Sequence, residues 1–290
     1  MTQIYTILFP IDFSNRCVLA ARHVNAWVRC FRAVLHVVHI VDARALGYPS
    51  QQNDEFLDNE IQELQEKREA DLKFFSDHYF GEGAARCTVL RGSTAEQIVS
   101  FAKNENVDLI MLPRNHQPLG SRILHDSLTD ILLERCTASV WTTEHAEAMS
   151  KTSISSILCA VHFEGDVRLD AQDYRILQNV GDVASAFQAR VTVLHVLDSQ
   201  EEAAATPSTD LQIISGAEPW LAHAREALGS TAEFLTKPGK VIETIRDTAN
   251  QVAADLIIVG RTRPGAIGFG AQANILKIDH VLRRPVVSIW

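Results

Sequence analysis

Short apolar runs alternate along the chain with longer stretches whose apolar residues recur at helical spacing. The first run, Ile4-Tyr5-Thr6-Ile7-Leu8-Phe9-Pro10-Ile11-Asp12, is continuous and stops at a turn-forming Asp-Phe-Ser-Asn, which predicts a strand buried on both faces. From Arg16 to Phe31 the apolar positions Val18-Leu19, Ala21, Val24, Trp27-Val28 and Phe31 predict a helix. A second strand is expected at Ala33 to Val41. Glu55 to Tyr79 is strongly charged, with Leu57, Ile61, Leu64, Leu72 and Phe75 at helical intervals, and reads as an amphipathic helix with a solvated face. Strands at Cys87–Leu90, Asp108–Leu112 and Ser139–Thr142 and helices at Thr94–Asn104 and Ser127–Arg135 complete the set. Strands that alternate with helices imply parallel pairing through right-handed crossovers.

The pattern then repeats. Gly92-Ser93-Thr94-Ala95-Glu96-Gln97-Ile98 leads into Val107-Asp108-Leu109-Ile110, and Gly239-Lys240-Val241-Ile242-Glu243-Thr244-Ile245 leads into Ala254-Asp255-Leu256-Ile257, each part 147 residues after its counterpart. A constant offset across a helix and a strand predicts two copies of one domain. In the second copy strand one is Ser156–His162, strand two Val191–Asp198, strand four Leu256–Val259 and strand five Val286–Trp290, while Glu201–Ser208 reads as a flexible loop. Glu144 to Ser153 is polar and aperiodic and serves as the linker, which gives domains at 1–145 and 153–290.

Composition narrows the function classes. With 290 residues, each half is large enough for its own core. The net charge of −9 leaves no basic excess to displace counterions, so broad nucleic-acid binding is excluded while one small anionic ligand is not. No signal-peptide pattern and no membrane-length apolar run are present, and the five scattered cysteines contain no Cys-x-x-Cys pair. A cytoplasmic protein with reduced thiols and no membrane partner is expected.

The opening Ile7-Leu8-Phe9-Pro10-Ile11-Asp12-Phe13-Ser14, the Leu35-His36-Val37-Val38-His39 and Leu194-His195-Val196 strands, and the Gly-x-x-x-Glu-x-Ile helix starts before Asp-Leu-Ile together resemble a tandem universal stress protein. The resemblance covers nearly the whole chain. It implies an α/β fold of two tandem Rossmann-like domains, each a five-stranded parallel sheet with helices on both faces, of the adenine nucleotide alpha hydrolase-like type. It also implies a pairing of fifth strands, Val140-Trp141-Thr142 with Val286-Val287-Ser288, as an internal pseudo-dimer; a homodimer through other surfaces stays open, and the protein partner is unknown.

Nucleotide-binding members of that family are similar to one another in an acidic residue ending strand one. They also share a loop after strand four patterned as Gly, two residues, Gly, nine residues, Gly, then Ser or Thr. Glycines let the backbone approach phosphate, and the helix behind supplies free N–H groups. The first copy keeps Asp12, but its glycine positions fall on Pro113, His116 and Asp126, with only Ser127 matching. Proline removes a donor, Asp126 would repel phosphate, and Ser127-Leu128-Thr129-Asp130 reads as a helix N-cap. The first site is therefore expected to be dead for ATP.

In the second copy Gly260 holds the first glycine position, and Arg261-Thr262-Arg263-Pro264-Gly265-Ala266-Ile267-Gly268-Phe269-Gly270 is glycine-rich and basic. Strict counting puts the later glycine positions on Arg263 and Ala273, with Asn274 in place of Ser or Thr and His162 in place of the acid. His162, Gly260, Arg261, Arg263, Gly265, Gly268, Gly270 and Asn274 are accordingly the candidate residues for ATP or another adenine nucleotide. Two readings stay open: Arg261 and Arg263 contact phosphate, or Gly260 only turns the chain and the arginines are solvated. His162 either holds a ring or ribose or marks a lost site.

Histidines 36 and 39 point to opposite faces of a strand, so no shared metal is expected. Gly-x-Ser-x-Gly, His-Glu-x-x-His and P-loop motifs are missing from the sequence, and Gly260 to Asn274 contains no carboxylate to hold a metal or position water. The expectation is a non-enzymatic, stress-associated regulatory or binding module, with an interaction scaffold or a slow ATPase as alternatives.

Overall fold

The computed structural model describes residues 4–42, 55–114, 128–144, 151–161, 171–197, 224–225, 228, 232–261 and 283–289. The chain divides into two compact units at Trp141 and Thr142.

In the N-terminal unit the elements run β1 (Thr6–Pro10), α1 (Asn15–Phe31), β2 (Val34–Val41), α2 (Glu55–Phe80), β3 (Ala85–Arg91), α3 (Thr94–Asn104), β4 (Leu109–Pro113), α4 (Leu128–Arg135) and β5 (Ser139–Thr143). The strand order is β3-β2-β1-β4-β5. Strand β1 lies between two parallel partners, Ile7 standing against Leu35 of β2 and against Leu109 of β4. Its Ile7, Leu8 and Phe9 are fully buried, as a continuous apolar run requires in a sheet covered on both faces. Helix α2 is held to this sheet by rings: Phe75 lies 6.5 Å from Phe9 and 4.6 Å from Tyr79, and Phe80 meets Phe9 edge-on at 6.2 Å.

The C-terminal unit runs β6 (Ser156–Val161), α5 (Ala171–Phe187), β7 (Arg190–Leu197), β8 (Glu233–Pro238), α6 (Val241–Gln251), β9 (Leu256–Gly260) and β10 (Val286–Ile289). Its order, β10-β9-β6-β7-β8, is the first order over again with β6 in the place of β1. Each neighbouring pair of these strands runs parallel. The repeat extends to backbone conformation. Helices α1 and α5 end on left-handed residues, Arg32 (φ 54°) and Gln188 (φ 55°), and α3 and α6 each lead into one, Asn106 (φ 49°) and Ala253 (φ 48°). In each case the next N–H turns back to a helix carbonyl, as Val107 does to Ala102 and Ala254 to Ala249, both at 2.9 Å.

Two strands differ from what the apolar pattern predicts. β3 reaches Ala85 and Arg91, beyond the apolar Cys87–Leu90, because its register with β2 runs from Leu35 against Ala85 to Val41 against Arg91. β8 carries Lys237 and Pro238 and has no bounded apolar run; pairing with β7, from Thr192 against Glu233 to Leu197 against Pro238, is what makes it a strand. The loop expected at Glu201–Ser208 lies outside the described residues.

Candidate functional site

In a parallel sheet of order 3-2-1-4-5, the chain leaves β1 and β4 in opposite directions, and a crevice opens at their carboxyl ends. The candidate site of each unit is therefore bounded by the segments that leave strand one and strand four.

In the N-terminal unit Asp12 lies just past β1, and its carboxylate is already engaged by its own chain. Oδ1 accepts the Ser14 N–H at 3.0 Å and the Cys17 thiol at 3.2 Å, and the Arg16 guanidinium pairs with Oδ2. Burial pushes the Asp12 carboxyl up, but hydrogen bonds from Ser14 and Cys17 and the Arg16 charge outweigh it and hold the group below its usual range. Burial, reinforced by that carboxylate, raises the Cys17 thiol to about 11, so it stays protonated and inert at neutral pH. Phe13, next in the chain, has φ 61°; its ring lies 4.7 Å from His39, and the Arg68 guanidinium stands 5.4 Å above it. Strand β4 ends in buried Pro113, and half-buried Arg114 comes next. His116, Asp126 and Ser127 lie outside the described residues.

His36 and His39 lie on opposite faces of β2. His36 is buried against Phe101 of α3, ring centroids 5.4 Å apart. His39 faces the other way and donates Nδ1–H to Ile11 O at 2.8 Å. The same bond recurs in the second copy, where His195 Nδ1 meets Val161 O at 3.4 Å. These repeated histidines pin the end of strand one to strand two, and burial holds His39 below its usual value.

In the C-terminal unit Gly260 ends β9 in an extended conformation. A Cβ built there would sit 2.4 Å from Ile176 Cδ1, so the glycine admits helix α5 to the sheet. Arg261 is 2 % exposed, and its N–H donates to Ile289 O at 2.7 Å. A guanidinium keeps its charge when buried and depends on the acceptors around it, so this arginine is not a solvated one. Arg114 stands 147 residues before Arg261, at the same place after strand four; the repeat offset alone picks it out. His162, Arg263, Gly265, Gly268, Gly270 and Asn274 lie outside the described residues. No group of three metal-ligating side chains occurs among the described residues, and none of their helices is long and apolar enough to cross a membrane.

Two copies of one five-stranded parallel sheet, both with the strand order 3-2-1-4-5, define a class. The chain belongs to the universal stress protein family: the family model matches residues 4–143 and again 157–273, which makes it a tandem member. A universal stress protein from Archaeoglobus fulgidus DSM 4304 superposes with TM-score 0.69 at 17% identity, over 99% of this chain and 98% of its own. A putative universal stress protein from Pseudomonas aeruginosa UCBPP-PA14 gives 0.61 at 17%, over 99% and 93%. A functionally unknown protein from Pseudomonas aeruginosa PAO1 gives 0.62 at 16%, over 99% and 92%. At these identities the likeness is one of fold. No curated protein matches the chain.

Proposed function

We propose that this tandem universal stress protein is a non-enzymatic, stress-associated binding module that takes one adenine nucleotide, ATP or a relative, in its C-terminal unit and none in its N-terminal unit. The asymmetry after strand four carries this reading. Pro113 offers no backbone donor where Gly260 offers a slim one, and Asp12 is engaged by Ser14, Arg16 and Cys17. Behind Gly260 the sequence supplies Arg263 and the glycines 265, 268 and 270, a composition suited to cradling phosphate.

A second reading has its own observation. Gly260 is accounted for by Ile176, and Arg261 by an interior position, so neither needs a nucleotide to explain it. That favours a scaffold working through its surfaces.

Native mass spectrometry during ATP titration separates the two. One nucleotide per chain, released unhydrolysed by a denaturing quench and lost in Arg263→Ala, supports the binding module. A chain that stays ligand-free at every concentration supports the scaffold, and conversion of bound ATP to ADP refutes the non-enzymatic assignment.

A further inference from the structure

We propose that the open edge of β3, with the groove it forms against α2, receives an extended basic peptide that adds to the N-terminal sheet as a further strand. Among the described residues β3 stands at the end of the strand order, paired with β2 along one side. Gly92 donates its N–H inward to Val41 O at 3.1 Å. The two-residue period of the ladder carries that inward set back through Leu90, Thr88 and Arg86. The backbone N–H and C=O groups of Ala85, Cys87 and Val89 therefore face the open edge.

Side chains of the same residues build the specificity. Ala85, Cys87 and Val89 form one wall of a groove of about 450 Å3, and Glu69, Leu72 and Lys73 of α2 form the other. Leu72 and Val89 are 1 % and 8 % exposed and give it an apolar floor. Such a groove beside a strand edge suits the alternate side chains of an added strand, while main-chain bonds supply the affinity. β3 lacks proline, one of the usual guards of an open edge, and its charged residues are confined to Arg86 and Arg91 near its ends.

Charge selects the occupant. Acidic residues outnumber lysine and arginine eight to three along α2. Lys73, which faces the groove, is taken up by Asp77 at 2.6 Å, while Glu69 accepts a neutral amide N–H from Gln65 at 3.3 Å and keeps its charge for an incoming cation. A lysine or arginine of the added strand meets Glu69 across the apolar floor, whereas an acidic peptide is repelled by the helix.

The test is fluorescence polarisation with the full chain and a short labelled peptide of alternating lysine and valine, beside its glutamate–valine counterpart and a version N-methylated at alternate amides. The lysine peptide should bind roughly tenfold or more tightly than the other two, and slow hydrogen exchange at the amides of Ala85, Cys87 and Val89. Glu69→Lys, on an exposed helix surface, should weaken it by a similar factor. Cys87→Pro, which removes an outward donor and leaves the β2 ladder intact, should weaken it as well. Equal binding of the three peptides, no binding, or binding and exchange untouched by Glu69→Lys would overturn the proposal, whatever Cys87→Pro does to folding.

Discussion

Asp108 and Asp255 occupy the same place in the two copies, and the structure gives them the same work. Asp108 Oδ2 accepts the N–H groups of Tyr5 and Thr6 at 2.8 and 2.9 Å, and Asp255 Oδ2 accepts those of Ser155 and Ser156 at 2.8 and 3.1 Å, with the Ser155 hydroxyl at 2.7 Å. Each carboxylate thus satisfies backbone donors at the entry to the central strand. Asp255→Ala should cost about 1–3 kcal/mol in urea denaturation, since charge-assisted bonds are lost and donors exposed. The repeated glycines are equally determined. Gly92 and Gly239 have φ 127° and 138°, and a Cβ on Gly239 would meet Thr244 Oγ1 at 2.8 Å. Gly239→Ala should lower stability by more than about 1 kcal/mol, and Gly83→Ala, at φ 67° with open space around it, by less, both read as denaturation midpoints. The repeat was plain in the sequence, but the role of the aspartates was not, because their partners lie about a hundred residues away. Asp12 was legible as the acid ending strand one; its engagement comes from neighbours two to five residues on. Burial of Arg261 could not be read from a basic, glycine-rich surrounding, and neither could the bond of its backbone N–H to Ile289 of β10.

Among the elements, those with a continuous apolar run or strong helical period were legible nearly to the residue: α3 spans Thr94–Asn104 as its spacing predicts. β8 and the ends of β3 were not, because pairing with a neighbour makes them strands and no local pattern records a neighbour. Helix α1 illustrates packing that the pattern only half reveals. Its His23 is 3 % exposed and stacks on Trp141 of β5, ring centroids 6.3 Å apart. Burial, aided by the neighbouring Arg22 charge, lowers His23 to about 4. The unfolded chain takes up a proton near the ordinary value of about 6.5, so between those values it binds more protons than the folded chain. Stability from this group is complete above pH 6.5 and falls as the pH drops toward 4. His36 and His39, also held low by burial, add in the same direction. A thermal melt at pH 5 should therefore lie below one at pH 7.5, and His23→Phe, which keeps a ring against Trp141, should flatten the difference. An unchanged slope in that variant would place the acid sensitivity elsewhere.

At the scale of the whole molecule, duplication has left two sheets of one order with unequal carboxyl ends. If the N-terminal crevice is silent, Asp12→Ala leaves the stoichiometry and dissociation constant of any bound nucleotide unchanged in calorimetric titration; a large loss would move the site to the other unit. The aspartate clasp also bears on synthesis. Strand β1 is central in its sheet, yet the carboxylate that fastens its entry lies 103 residues further along. At roughly 5–20 residues per second, the nascent chain carries that apolar strand for about 5–20 s before Asp108 is even made. A second wait of the same kind separates Ser155 from Asp255, 100 residues apart. During each interval the central strand has one flanking partner, β2 for β1 and β7 for β6, while the side that β4 or β9 will take stays uncovered.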